Sequence, residues 1–214
     1  MNKRKNMFYI ISRFVLFIVL KLFFFFKVTG REFIPKSGGC IIASNHLSYL
    51  DPVVLSVAST RILNFMAKED LFRGNWFFKK LITVLNAFPI QRGKNDLKAI
   101  RLAIDKLKAG DALIIFPEGT RSATGDLKQG ESGVSMLAAK AGVPVIPVLI
   151  VGTERAMPIK SKNFFLFTPI QVHFAAPLEF KAGPQGAKVK DAYQKFSDEL
   201  IESIKQIKLK IACK

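Results

Sequence analysis

The stretch Cys40-Ile-Ile-Ala-Ser-Asn-His-Leu-Ser-Tyr-Leu-Asp-Pro52 decides the fold. Its first four residues form a short apolar run behind Pro35-Lys-Ser-Gly-Gly39 and read as a buried strand, whereas from Asp51 to Ala58 the pattern turns helical. Asp is a favoured N-cap and Pro is favoured at the first helical position, so Asp51-Pro52 marks the helix start. Strand, polar loop and helix make one beta-alpha unit. Similar apolar runs recur at 62–67, 87–91, 112–116 and 143–151. They are separated by helical patterns at 95–109, with Leu97, Ile100, Ile104 and Leu107 on one stripe, and at 132–141. Segment 166–176 adds one or two strands, and 189–211 reads as a basic amphipathic helix. Alternation of this kind predicts an α/β fold: a mixed, largely parallel sheet flanked by helices, with functional loops at its edge.

The 214 residues are half apolar and 23% charged, enough for one sizeable core and no second domain boundary. Twenty phenylalanines and a mean hydropathy of +0.24 exclude a disordered chain, and a single long apolar window excludes a polytopic channel. Two cysteines, Cys40 and Cys213, make no disulfide framework. Thirty-three Lys plus Arg against 16 Asp plus Glu leave a net charge of +17. Such a surface attracts polyanions: nucleic acid, anionic lipid, phosphorylated substrates or acidic carrier proteins.

Residues 7–26 (MFYIISRFVLFIVLKLFFFF) follow the cationic start Lys3-Arg4-Lys5 and as a helix would measure about 30 Å, one bilayer core. Arg13 and Lys21 lie inside this window, where a central charge costs about 2.5–3.5 kcal/mol. Length and charge therefore leave spanning and interfacial placement both open. A signal peptide has the same outline, but the apolar run passes into Lys27-Val-Thr-Gly-Arg31 without a small-x-small cleavage site. The expectation is a retained membrane anchor over 1–28, with Lys27, Arg31 and Lys36 at an anionic surface and the domain 29–214 on the cytoplasmic face.

Only two histidines are present. His173, in the alternating run Gln171-Val-His-Phe-Ala175, reads as an ordinary strand residue. His46 sits in a loop just past a buried strand, five residues before Asp51. On one continuous helix that spacing would turn the two side chains about 140° apart, so the loop must fold His46 back toward the helix start. Asp51 then either merely caps the helix or accepts from a backbone N–H and the imidazole together. Phe116-Pro-Glu-Gly-Thr-Arg-Ser122 follows another strand and puts Glu118, Gly119, Thr120 and Arg121 on a loop at the same sheet edge. Arg92 ends a third run, Phe88-Pro-Ile-Gln-Arg92. Gly119 permits close backbone approach, and arginine offers a planar fork for phosphate oxygens. No companion to His46 has metal-ligand spacing, and no cofactor is implied.

These blocks, with Val-Pro-Val-Ile-Pro-Val at 143–148, occur in the order found in the glycerolipid acyltransferase family, which the chain resembles over residues 30–180. Met66-Ala-Lys-Glu-Asp-Leu-Phe72 resembles the family's Lys-containing segment, with Asp70 extra. The resemblance implies transfer of a fatty acyl group from a thioester, on acyl carrier protein or coenzyme A, to the middle (sn-2) hydroxyl of lysophosphatidic acid. It makes His46 the general base and Asp51 its orienting partner. By the same resemblance Arg92 and Arg121 hold the phosphate with help from Lys68, while Glu118 and Gly119 meet the glycerol end and Thr120 belongs to the same substrate-binding loop; 143–148, despite its motif, reads as a core strand. A backbone N–H in the 118–120 loop is a candidate for the oxyanion. The location implied is the inner (cytoplasmic) membrane.

Neither Ser48 nor Cys40 is expected as nucleophile: both substrates can react while held together, and a thiolate is disfavoured in an apolar strand. Trp76, within Leu71-Phe-Arg-Gly-Asn-Trp-Phe-Phe-Lys-Lys80, has two readings, a core helix or an interfacial patch near an acyl-chain groove. Two alternatives to the phosphatidate-forming enzyme stand. One is a sibling acting on glycerol 3-phosphate, a lysophospholipid or a lyso-aminolipid. The other is a non-catalytic basic module on membrane or nucleic acid. Its cations are scattered and no nucleic-acid motif is present, so nucleic acid is not an expected partner.

Overall fold

The computed structural model describes residues 3–73, 76–90, 96–121, 127, 130–159, 163–182 and 188–212, with the backbone alone at 3–6, 77, 78 and 81. Its elements are α1 (Lys3–Phe24), β1 (Lys27–Thr29), β2 (Cys40–Ser44), α2 (Asp51–Ala58), β3 (Leu63–Lys68), α3 (Trp76–Val84), β4 (Ala87–Ile90), α4 (Leu97–Lys108), β5 (Ala112–Ile115), α5 (Gly133–Ala141), β6 (Val145–Val151), α6 (Thr153–Ala156), β7 (Gln171–Phe174) and α7 (Val189–Ala212). One sheet takes the order β1-β7-β6-β2-β5-β3-β4. β6, β2, β5, β3 and β4 are parallel; β7 runs antiparallel to β6 and carries β1 parallel to itself. The sheet is mixed and largely parallel, as expected.

Strand side chains alternate between two cores, which explains why the central strands are apolar at nearly every position. Cys40, Ile42, Ala112, Ile114, Ile146 and Val148 join the core under α1, α2 and α3. Ile41, Ala43, Leu113, Ile115, Val145 and Leu149 join the core under α4, α5 and α7. Val145, Ile146 and Val148 are fully buried, so this part of 143–148 is core strand. Because β2, β5 and β3 are parallel neighbours, the loops leaving their C-terminal ends open on one edge. At the opposite edge Arg61 ties the approaches to β2 and β5 together, donating from Nη1 to the Gly38 carbonyl at 2.6 Å and from Nη2 to that of Gly110 at 2.5 Å.

Three elements differ from the reading of local pattern. β1 is three residues long at the sheet border, too short to show periodicity, and α6 is a single turn. In α3 Ile82 is buried, as is Leu85 just after it, but Trp76 is 71% exposed, so the core reading does not hold for the indole. Lys80 Nζ lies 4.9 Å from the Trp76 ring centroid, a cation–π contact.

Among the described residues, α1 is the one helix long and apolar enough to cross a membrane, over Met7–Phe24. It also lies against the domain. Tyr9, Leu20 and Phe24 form a buried stripe in the first core, at the three- and four-residue multiples that share a helix face. Tyr9 Oη accepts from the Leu63 amide at 3.2 Å. Met7, Phe8, Ile11, Phe14 and Leu22 remain exposed.

Candidate active site

β2 delivers Asn45 and His46 to the open edge of the sheet, and α2 begins only five residues later. The intervening loop is tied down on every side. Asn45 donates from Nδ2 to the Ile150 carbonyl at 2.9 Å and accepts from the Ile150 amide at 2.8 Å, so one side chain clips the loop to β6. Ser48 Oγ donates to the Met157 carbonyl at 2.8 Å. Glu118 Oε1, arriving from the loop after β5, accepts from the His46 amide at 3.2 Å.

Asp51 is fully buried, and three donors converge on its Oδ2: His46 Nδ1 at 2.9 Å, the Leu47 amide at 2.6 Å and the Ser48 amide at 2.8 Å. The N-cap expectation for Asp51 is therefore overturned. Leu50 holds the cap position with no side-chain cap bond, and Asp51 is already the first residue of the helix. Its carboxylate turns back into the loop because amides 47 and 48, folded toward it, supply donors that α2 would otherwise have to give. The pairing with His46 is the second of the two readings, reached through amides outside the helix.

With Nδ1–H pointed at a carboxylate, the neutral imidazole carries its lone pair on Nε2. Nε2 has no hydrogen-bond partner among the described residues, and the ring stacks on Phe116 with centroids 3.9 Å and planes 14° apart. Tautomer and ring plane are thus both set. The side chain keeps 11% of its surface exposed. Among the described residues no three His, Cys, Asp or Glu side chains converge as metal ligands.

Arg121 reaches the same loop through Tyr49. Its guanidinium carbon lies 3.6 Å from the Tyr49 ring centroid, and Nη2 donates to Tyr49 Oη at 2.9 Å. Nη1 is buried and has no hydrogen-bond partner among the described residues. Gly119 has φ +66°, and a side chain there would collide with the Glu131 carboxylate. The amides of Gly119 and Thr120 donate to the Phe116 and Glu118 carbonyls at 3.1 and 2.7 Å. The turn that leads to Arg121 thus uses both of these amides, and of the backbone donors expected for an oxyanion in the 118–120 loop that of Glu118 is the one these two bonds do not engage. Thr120 is exposed and Glu118 buried. Lys68, at the C-terminal end of β3 on this edge, is half exposed and ion-paired with Asp70 at 3.4 Å. Arg92, Ser122 and Cys213 lie outside the described residues.

Cys40 is fully buried, and burial pushes its thiol above the ordinary range, against a smaller opposing influence of Arg61. It has no part in the site. His173 sits between Thr29 Oγ1, at 2.8 Å, and Gln171 Oε1, at 3.2 Å, on β7. Sequence reading had not singled out Asn45, Tyr49 or Phe116. Asn45 and Tyr49 flank His46 in the same block, and their polar groups are the signal available there; the stacking of Phe116 depends on β5 lying next to β2.

A family model described as Acyltransferase matches residues 25–151. The 1-acyl-sn-glycerol-3-phosphate acyltransferase of Bacillus subtilis is 27% identical over 190 residues, covering 86% of this chain and 89% of that protein. A chloroplastic 1-acyl-sn-glycerol-3-phosphate acyltransferase of Brassica napus is 28% identical over 74% of this chain but only 47% of its own length, so the chain spans about half of that relative. The crystal structure of the 1-acyl-sn-glycerophosphate (LPA) acyltransferase from Thermotoga maritima superposes with a TM-score of 0.64 at 30% identity, covering 86% of this chain and 72% of that one. With the family model spanning more than half of its length, and with a histidine–aspartate pair at the edge of a largely parallel sheet, the chain belongs to the Acyltransferase family.

Proposed function

We propose that the protein transfers a fatty acyl group from a thioester to the sn-2 hydroxyl of lysophosphatidic acid, forming phosphatidic acid for phospholipid synthesis. The observation that carries this reading is the pairing of His46 with Asp51 near a guanidinium whose Nη1 has no hydrogen-bond partner among the described residues. An alcohol is almost fully protonated near neutral pH, so its proton must leave as the oxygen attacks. His46 Nε2 takes that proton while the hydroxyl oxygen bonds to the thioester carbonyl carbon. Asp51 faces the imidazolium that forms. As the carbon–sulfur bond breaks, the same proton passes to the departing thiolate, so the free thiol and the resting imidazole are regained. No acyl-enzyme is needed.

Arg121 and Arg92 hold the phosphate, with Lys68 adding positive charge, and Glu118, Gly119 and Thr120 border the glycerol end. Glu118 also braces the His46 amide. The donor is acyl carrier protein or coenzyme A thioester. The relatives named above, together with the apolar outer face of α1, support association with the membrane. Residues 1–28, of which Lys27 and Val28 also enter the sheet as part of β1, form the anchor of a catalytic domain 29–214, on the cytoplasmic face of the inner membrane. A buried stripe on α1 favours placement along the interface over a full span.

The test gives purified full-length protein a panel of lyso-acceptors with both donor classes, beside His46→Ala. Expected are dependence on the acceptor phosphate and a loss of at least about 100-fold in the variant. Turnover by His46→Ala near the parent rate would end the base assignment. Preference for a phosphate-free acceptor would move the chain to a sibling reaction.

A further inference from the structure

Residues 1–31 hold seven cations, Lys3, Arg4, Lys5, Arg13, Lys21, Lys27 and Arg31, and no carboxylate. Arg13 lies on the inner side of α1, four residues after the buried Tyr9, in a helix whose apolar window contains just one other charge. It faces a cavity of about 240 Å³ between α1 and the C-terminal end of α2, lined also by Arg31, Ile10, Phe14, Phe17 and Thr60. Arg31 is held there by its own Nε, which donates to the Ala58 carbonyl at 2.9 Å, the last residue of α2. Burial, and secondarily the like charge of Arg13, lower the Arg31 guanidinium below its usual value, so the two forks are close enough to repel. Neither forms an ion pair with a carboxylate among the described residues. Two converging, unneutralised guanidinium groups in a recess walled by phenylalanine fit an anion carrying hydrocarbon.

We propose that Arg13 and Arg31 form a binding site for the phosphate of a bilayer phospholipid, separate from the catalytic edge, with the lipid chains lying along the apolar outer face of α1 at Phe14. Asp51 at the start of α2 belongs to the active site, whereas Ala58 at its far end holds Arg31, so the same short helix separates the two phosphate-binding regions. A lipid bound there fixes α1 against the membrane and sets the orientation of the catalytic edge toward the lipid supply. The inference rests on the reading of α1 as membrane-facing.

Diffuse attraction to an anionic surface depends on charge, whereas a two-fork phosphate site depends on guanidinium geometry. The experiment therefore measures binding of full-length Arg13→Lys/Arg31→Lys, which keeps the net charge, to neutral glycolipid vesicles doped with phosphatidylglycerol or, separately, with oleate. Expected is about tenfold weaker binding to the phosphatidylglycerol vesicles, little change with oleate, and parent turnover on a soluble short-chain lysophosphatidic acid. Arg13→Lys alone, which removes no hydrogen bond made within the described protein, is the arm free of folding effects and should weaken phosphatidylglycerol binding severalfold. Unchanged binding of both variants, or equal losses on both vesicles, would overturn the site while leaving the membrane reading intact. Failure of the parent protein to bind either vesicle would overturn both. Thermal stabilisation of the parent by inorganic phosphate as large as that given by phosphatidylglycerol vesicles would reassign the site to a free anion.

Discussion

Two segments leave parallel strands at the same edge of the sheet, and they are built in opposite ways. The segment after β2 is buried and held by bonds to β6, α2 and the loop after β5, with Asp51 Oδ2 alone accepting three donors. The segment after β3 is solvated: Lys68 meets Asp70, Arg73 donates to Glu69 at 2.6 Å, and Trp76 stands out from the surface. Proton transfer needs a base held to within fractions of an ångström in a shielded site, which only the first segment provides. The second offers charge and an aromatic surface, which act over distance and tolerate motion. Similar residue types placed on one edge thus serve different tasks according to what covers them.

That contrast can be broken deliberately. Asp51→Asn should cost the most, because an uncharged amide no longer stabilises the imidazolium and its NH2, when turned toward Nδ1, holds the wrong His46 tautomer. The expected loss in turnover is about 10²–10⁴-fold, measured with saturating acceptor. Asn45→Ala should follow. It strands the Ile150 amide and carbonyl in the sheet interior, and denaturant unfolding should show a loss of about 2–4 kcal/mol.

Arg121→Gln should raise the acceptor concentration needed for half-maximal rate by about 10- to 150-fold, the worth of one charge-assisted bond. Because Arg121 also stacks on Tyr49 and donates to its hydroxyl, the melting temperature is followed in parallel to separate phosphate grip from folding. Asp70→Ala sharpens the comparison from the solvated side. Both partners of its ion pair are more than half exposed, so stability should change by less than about 1 kcal/mol and turnover by less than about threefold. An effect of Asp70→Ala as large as that of Arg121→Gln would erase the distinction between the two segments.

Much of the scaffold was legible before any coordinates. α2 spans Asp51–Ala58 as read, and β2, β3, β4, β5 and β6 fall within a residue or two of the apolar runs that announce them. Short buried strands between glycine- and proline-rich turns advertise themselves locally. The border strand β1 and the single turn α6 did not, since three or four residues carry no period. Within the site, His46, Asp51 and Arg121 were visible as residue types with a chemical task. The route by which they meet was hidden. Asp51 looked like a cap because the motif for capping is local, whereas its actual partners, amides 47 and 48, depend on how the loop closes. The inner stripe of α1 was equally obscure, because a helix apolar nearly all round shows no preferred face until another surface selects one.

Residue pattern alone determined the element types, the largely parallel sheet, the excess of positive charge and the set of groups able to do acid–base and phosphate chemistry. Each follows from neighbours along the chain or from simple counting. Tertiary structure decided that β5 lies beside β2, stacking Phe116 on His46 and bringing Arg121 to Tyr49, and that Arg13 and Arg31 share one recess. Those pairings join residues far apart in the chain. They arise only from the simultaneous packing of two cores on a twisted sheet, which no local pattern encodes.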